Sequence, residues 1–104
     1  MSIGIISIDQ SKKRAISIIN SDLNLGVESY TILCNALSNN ITVTLPTASV
    51  YKGKLYNIKT INLTNRVLVD TIDSALIDSS TSHSFSTVLE CVRLQCNGTN
   101  WFKI

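Results

Sequence analysis

Side-chain catalysis needs a nucleophile beside a base, two carboxylates with split roles, or metal ligands in register. The sequence is poor in all three. His83 is the only histidine, in the serine-rich stretch "DSSTSHS" at 78 to 84. Adjacent residues of an extended chain point to opposite faces, so the spacing makes no dyad of His83 with Ser82 or Ser84. His83 reads as an exposed loop histidine, available at most for ligand or interface contact. Asp70 and Asp73 are two residues short of adjacency, and nothing near them would split their pKa values. They read as turn-forming aspartates at a strand end. The three cysteines, Cys34, Cys91 and Cys96, are odd in number and too scattered for a local metal set. They read as small hydrophobes in or near a core. No glycine-rich phosphate loop and no Cys-x-x-Cys pair is present. The expectation is a protein that is not an enzyme and needs no cofactor or metal.

Binding chemistry is nearly as sparse. Lys12-Lys13-Arg14 is the one basic run, and with a net charge of +2 nothing extends it. It reads as a solvated turn between strands, which leaves no basis for a nucleic-acid partner. Asn40-Ile41-Thr42, Asn62-Leu63-Thr64 and Asn97-Gly98-Thr99 match the glycosylation acceptor pattern. Ten asparagines among 24 serines and threonines yield about two such matches by chance. Tyr30 and Tyr56 sit inside alternating stretches and read as packed. Tyr51 precedes Gly53 in a turn and is the tyrosine expected to be exposed, hence a candidate ligand contact.

The elements that would position these groups alternate with period two. "ITVTL" at 41 to 45 places Ile41, Val43 and Leu45 on one face and Thr42 and Thr44 on the other. Pro46 ends it, because proline cannot donate to a ladder. "KLYNIKTI" at 54 to 61 follows the turn at Gly53, and "RVLVDTI" at 66 to 72 follows Thr64-Asn65. "VLECVRLQC" at 88 to 96 sets Val88, Val92, Leu94 and Cys96 on one face, with Glu90 as a charged exception. Asn97-Gly98 is a strong hairpin signal and leads into "TNWFKI" at 99 to 104. Upstream, "IGIISI" at 3 to 8, "RAISII" at 14 to 19 and "SYTIL" at 29 to 33 are also strand-like. No helical period, linker, internal repeat or low-complexity tract is visible, and 78 to 84 is the most loop-like stretch.

Strands and turns recurring every 8 to 12 residues or so indicate an all-β sandwich or small barrel. At 104 residues the chain is one domain with a modest core, which oligomerisation could supplement. Charged residues are only 15%, low beside the roughly 25% typical of soluble chains. The deficit is filled by Ser, Thr and Asn. The start "MSIGIISIDQ" lacks a signal-peptide pattern, and no apolar run approaches a membrane span, which predicts a soluble protein with no membrane partner.

The order "SYTILCNA…NNITVTLPTAS…KGKLYNIKTI…NRVLVDTIDSA…VLECVRLQCNGTNWFKI" resembles a β-structured module found near the C-termini of phage tail fibres and related virion proteins. Those modules run Y-T-I/V-L, I-T-V-T-L-P-x-A, G-K-x-Y-x-I-K, a V-x-I strand, I-D-G and a closing S-D-G-T-N-W-aromatic-x-I. The likeness covers residues 28 to 104. Ile72-Asp73-Ser74 replaces the I-D-G turn, and Cys96-Asn97-Gly98 replaces S-D-G while keeping its turn chemistry. Cys91 stands where the module has a small polar residue.

The resemblance implies a virion structural protein without catalytic residues, a homotrimeric fibre, spike or capsid-decorating module, made in the host cytoplasm and assembled into the virion. Its partners would be its own copies, other virion proteins and, in an alternative role as a host-attachment tip, a surface glycan or receptor. The ligand does not carry over, since function in such modules varies with the loops. The expected architecture is a small antiparallel β-sandwich or jelly-roll-like barrel, trimeric. Residues 1-27 would supply added strands or a docking arm and 28-104 the fibre-like module, all within one compact unit. Pro46, Gly53, Asn97 and Gly98 are expected to shape turns. Trp101 is expected inside the sandwich, with Phe102 or Ile104 facing a neighbouring subunit.

Overall fold

Ile41, Val43 and Leu45 are buried and Thr42 and Thr44 only half-buried, the alternation of a strand with one face in a core. The same pattern recurs along most of the chain in the computed structural model, which describes residues 13 to 104. The strand-like stretch at 3 to 8 and Lys12 lie outside the described residues. Nine strands are formed among the described residues: β1 Ile16–Ile19, β2 Leu23–Asn24, β3 Thr31–Asn35, β4 Ile41–Leu45, β5 Leu55–Asn62, β6 Val67–Thr71, β7 Ser82–Ser84, β8 Cys91–Cys96 and β9 Trp101–Lys103. Among the described residues no helix is long and apolar enough to cross a membrane.

The strands form two sheets, ordered β1-β3-β5-β8-β9 and β2-β4-β6-β7. The chain is all-β, and the sheets are mixed. Two such sheets are compatible with the small β-sandwich expected, but the expectation that its strands pair antiparallel is corrected. β1, β3 and β5 run parallel, as do β2, β4 and β6. Only β7, β8 and β9 pair antiparallel. From β1 to β6 the chain alternates between sheets, one strand in each per turn, and so winds as a short coil. Ile32 pairs with Ile58 and Val43 with Val69, the same interval of 26 positions in both sheets. "ILCNALSNNITV" and "IKTINLTNRVLV" are therefore successive turns of one repeat, a feature the sequence reading overlooked.

Asparagine holds the corners of this coil. Asn35 and Asn62, paired in register at the ends of β3 and β5, each accept a hydrogen bond from the backbone two residues on, Leu37 and Thr64. Asn65 Nδ2 donates to the carbonyls of Ala36 and Leu37 at 3.0 and 3.1 Å, and Asn40 Oδ1 accepts from the Arg66 amide at 2.9 Å. Asp22 does the same for the first turn, accepting from the Thr42 amide at 2.8 Å. Short amide and carboxylate side chains can substitute for backbone partners where a ladder breaks. Asn40 and Asn62, two of the apparent glycosylation acceptors, thus have structural work.

One core lies between the sheets, built from Ile32, Tyr56, Ile58, Leu94 and Trp101 on one side and Ile41, Val43, Leu45, Val67 and Val69 on the other, all essentially sealed from solvent. Each such side chain contributes about 1.5–3 kcal/mol by leaving water. The segment after β6 closes the side near β9. The Trp101 backbone amide donates to the Leu76 carbonyl at 2.8 Å, and the Asp78 amide donates to the Trp101 carbonyl at 3.0 Å. Asp78 and Ser79 adopt positive φ to make this turn.

Element limits shift in three places. β8 begins at Cys91, because Leu89 takes a φ of 70° and turns the chain. Val88 is consequently exposed, and Glu90 is no charged exception within a strand. The strand-like stretch at 14 to 19 narrows to Ile16–Ile19, whose residues pair with β3. Ser82–Ser84, placed in a loop by composition, is strand β7 on the edge of β6.

Candidate functional site

Because β1, β3 and β5 are parallel, the segments leading into them meet at one end of the larger sheet. There they border an open cleft of about 650 Å³, lined by Lys13, Arg14 and Ala15, by Val27, Glu28 and Tyr30, by Gly53, Lys54 and Leu55, and by Gln95. Three of these lining residues are basic and one, Glu28, is acidic. Gly53 sits at φ +86°, and its amide donates to the Cys96 carbonyl at 2.8 Å, which places Lys54 at the mouth. Lys54 Nζ donates to the Val27 carbonyl at 2.9 Å and stands 5.1 Å from the Tyr56 ring centroid. The Arg14 guanidinium lies 5.9 Å over the Tyr30 ring. Gln95 Nε2 donates to the Gly53 carbonyl at 3.2 Å, leaving its amide oxygen unused by that bond. Cations held on carbonyl and ring faces have less freedom to lose on meeting an anion.

A second polar cluster joins β7 to the approach to β8. His83 Nε2 is 3.1 Å from Glu90 Oε2, and the Phe85 ring meets the imidazole edge-on at 4.9 Å. Glu90 Oε1 accepts from the amides of Ser86 and Thr87 at 3.0 and 3.3 Å. Those backbone donors, Ser86 first, and His83 hold the Glu90 carboxyl below its usual range against a smaller opposing effect of burial. His83 is thus a half-buried strand residue with a carboxylate partner, a correction to its reading as an exposed loop histidine. The imidazole bonds Glu90 and neither flanking serine, so the cluster ties a turn and builds no nucleophile.

The remaining sequence candidates disperse. Tyr51, expected at the surface, is half-buried and packs against the core. Its turn folds inward, with the Tyr51 carbonyl accepting from the Lys54 amide at 2.9 Å. Cys34 and Cys96 are buried, as expected, whereas Cys91 is exposed, a correction to its reading as a core residue. Its place on β8 alternates with Val92, which faces the core. Trp101 is fully buried, while Phe102 and Ile104 are 41% and 63% exposed. Asn97 Oδ1 accepts from the amides of Thr99 and Asn100 at 2.9 and 2.8 Å, and Gly98 takes φ +98°. Pro46 directly follows β4. Among the described residues no group of three or more His, Cys, Asp or Glu could hold a metal ion.

No sequence signal marks Lys54, Glu28 or Gln95 of the cleft, and Lys13 and Arg14 line it instead of forming only a solvated turn. The basic run was the one local signal for the cleft. The chain matches no protein-family model, no curated protein and no solved structure.

Proposed function

We propose that the chain is a virion structural protein, a homotrimeric fibre, spike or capsid-decorating module. The observation that carries this reading is the placement of exposed apolar side chains on the larger sheet. Ile16 and Ile18, each 66% exposed, lie at one edge on the face opposite the core, and Phe102 and Ile104 lie at the other. Register puts Ile16, Thr31, Asn57 and Arg93 in one row, and the Ile104 amide continues it by donating to the Arg93 carbonyl at 2.9 Å. Two different apolar edges suit a heterologous contact, which closes into a ring when the rotation allows. The asparagine-bound coil supplies the stiffness that display or decoration needs. The resemblance to virion fibre modules agrees with this role, and the reading assigns no catalytic residue.

Gold-labelled antibody against the chain, imaged on intact particles by electron microscopy, tests the reading. Regular labelling at a fixed site of the particle is expected, and particles that carry none of the protein would overturn it. Host attachment is the second reading, favoured by the cationic cleft.

A further inference from the structure

We propose that the open edge of β1 takes a strand from another protein, an extended segment that alternates apolar residues and ends in acidic ones beside Lys13. This goes beyond the virion reading and gives a partner chain its place. β1 is the outermost strand of the larger sheet and, among the described residues, pairs with β3 alone. The Thr31 amide donates to the Ala15 carbonyl at 3.1 Å, which fixes the parity of the ladder. Ala15, Ser17 and Ile19 turn their backbone groups toward β3, so the amides and carbonyls of Ile16 and Ile18 project from the edge. Natural edges are blunted by shortness, charge, proline or a covering segment. The other three edges among the described residues follow that rule. β2 and β7 have two and three residues. β9 is covered by residues 76 to 78, which take both backbone groups of Trp101 and present Asp78 Oδ1 to the Lys103 amide at 3.1 Å. β1, "ISII", has neither charge nor proline, and its Ile16 and Ile18 are each 66% exposed. An open template of this kind is what strand addition uses.

Charge selects the segment. Lys13 lies at the start of this edge, and Lys54 shares the cleft beside it. Glu28 is the one acid of that lining, so the two lysines outnumber it whatever Arg14 pairs with. An incoming strand gains from carboxylates at that end. A second copy has no suitable strand to give. Its β9 is covered, its β2 and β7 are short, and its β1 has no acidic residue from Lys13 to Ile19. Side chains stand across the plane in which the backbone bonds of a sheet run. Ile16 and Ile18 can therefore face a neighbouring copy while their edge takes a strand.

The test is residue-resolved hydrogen exchange by nuclear magnetic resonance on the intact protein, with synthetic peptides of about eight residues. These alternate valine and threonine and carry a glutamate pair at the start or at the finish. At saturation, one of them should slow exchange of the Ile16 and Ile18 amides by about tenfold or more. The Ser17 amide, already turned to β3, should not change. The lysine-ended counterpart should bind about fivefold more weakly, and Lys13→Glu should reverse that preference. Ile18→Pro removes an outward amide and no bond to β3, a position where an edge tolerates proline. It should abolish binding with the thermal midpoint little changed. Lys13→Glu, at an exposed position before the strand, still decides the matter if Ile18→Pro fails to fold. Slow Ile16 and Ile18 amides in the free protein at every concentration would give the edge to residues 1 to 12, and protection that rises with protein concentration would give it to a second copy. Either result would overturn the proposal, as would no binding, equal binding of a backbone N-methylated peptide, or no preference for glutamate over lysine. Peptide bound as described, with particles that carry none of the protein, would keep this site and remove the virion reading. Labelled particles without peptide binding would do the reverse.

Discussion

The indole of Trp101 packs against the ring of Tyr56, centroids 5.6 Å apart and planes inclined by 32°. β8 lies between their strands, so the contact reaches across a neighbour on the core side of the sheet. Both rings are fully buried. The Tyr56 hydroxyl donates to the Gly26 carbonyl at 2.8 Å, tying the loop before β3 to the core, whereas Trp101 Nε1 has no partner among the described residues.

Trp101→Ala should lower stability by about 3–5 kcal/mol, the usual cost of removing a large buried ring. Trp101→Phe should cost clearly less, since it keeps an aromatic contact and deletes an unpaired buried donor, itself worth about 1–3 kcal/mol. Tyr56→Phe should cost about 1 kcal/mol by removing the hydroxyl's bond to the Gly26 carbonyl, which keeps only the longer bond from the Ser29 amide at 3.3 Å. Urea titrations followed by circular dichroism measure all three.

Asn65 bridges two turns of the coil through the Ala36 and Leu37 carbonyls. Asn65→Ala should destabilise by about 1–2 kcal/mol. Hydrogen exchange should quicken at the Asn65 amide, which donates to Ala36, and at the Ala36 amide, which donates to Asn62. The Gly53 amide, at the far end of the strands, should keep its protection.

Period-two alternation made the strands legible, and residues 41 to 45 show why, since side chains that alternate in sequence alternate between core and surface in either sheet type. That same fact hid the pairing direction. Parallel and antiparallel strands share the period, and the hairpin signal of Asn97-Gly98 is true of one connection only. The direction was encoded in the recurrence of Asn35 at Asn62 and Ile41 at Val67, which becomes visible once the two stretches are aligned. His83 was obscured because its strand partner, Val69, is remote in sequence and its neighbours are serines. The cleft was the least legible feature. Its residues converge from four separate segments, and only the coil brings them together.

Acid should destabilise the protein partly through Glu90. Its carboxyl titrates lower when folded than its ordinary value of 4.5, so the folded state favours the ionised form. That contribution is complete above the unfolded value and is lost as pH falls through the depressed folded one. Glu90→Gln should flatten the dependence of the thermal midpoint on pH below about 4.5. Melting curves of both proteins between neutrality and acid would show it, and parallel curves would contradict the assignment.

The three thiols should differ sharply in reactivity. Burial pushes the Cys34 thiol up to about 11, and Cys96 is buried with its Sγ 3.3 Å from the Ala48 carbonyl. Cys91 is exposed. A thiolate-specific chromogenic reagent should label one cysteine per native chain rapidly, Cys91 by peptide mapping, and all three after denaturation.

The central claim is that this coil works as a homotrimer built through the apolar edges of its larger sheet. Multi-angle light scattering on purified protein at micromolar concentration tests it most directly. The expected mass is three times the 11.4 kDa of one chain, falling to a single chain when Ile16 and Ile104 are both replaced by Asp while the β-sheet circular dichroism persists. A wild-type mass of 11.4 kDa, or a trimer indifferent to that double substitution, would contradict the account.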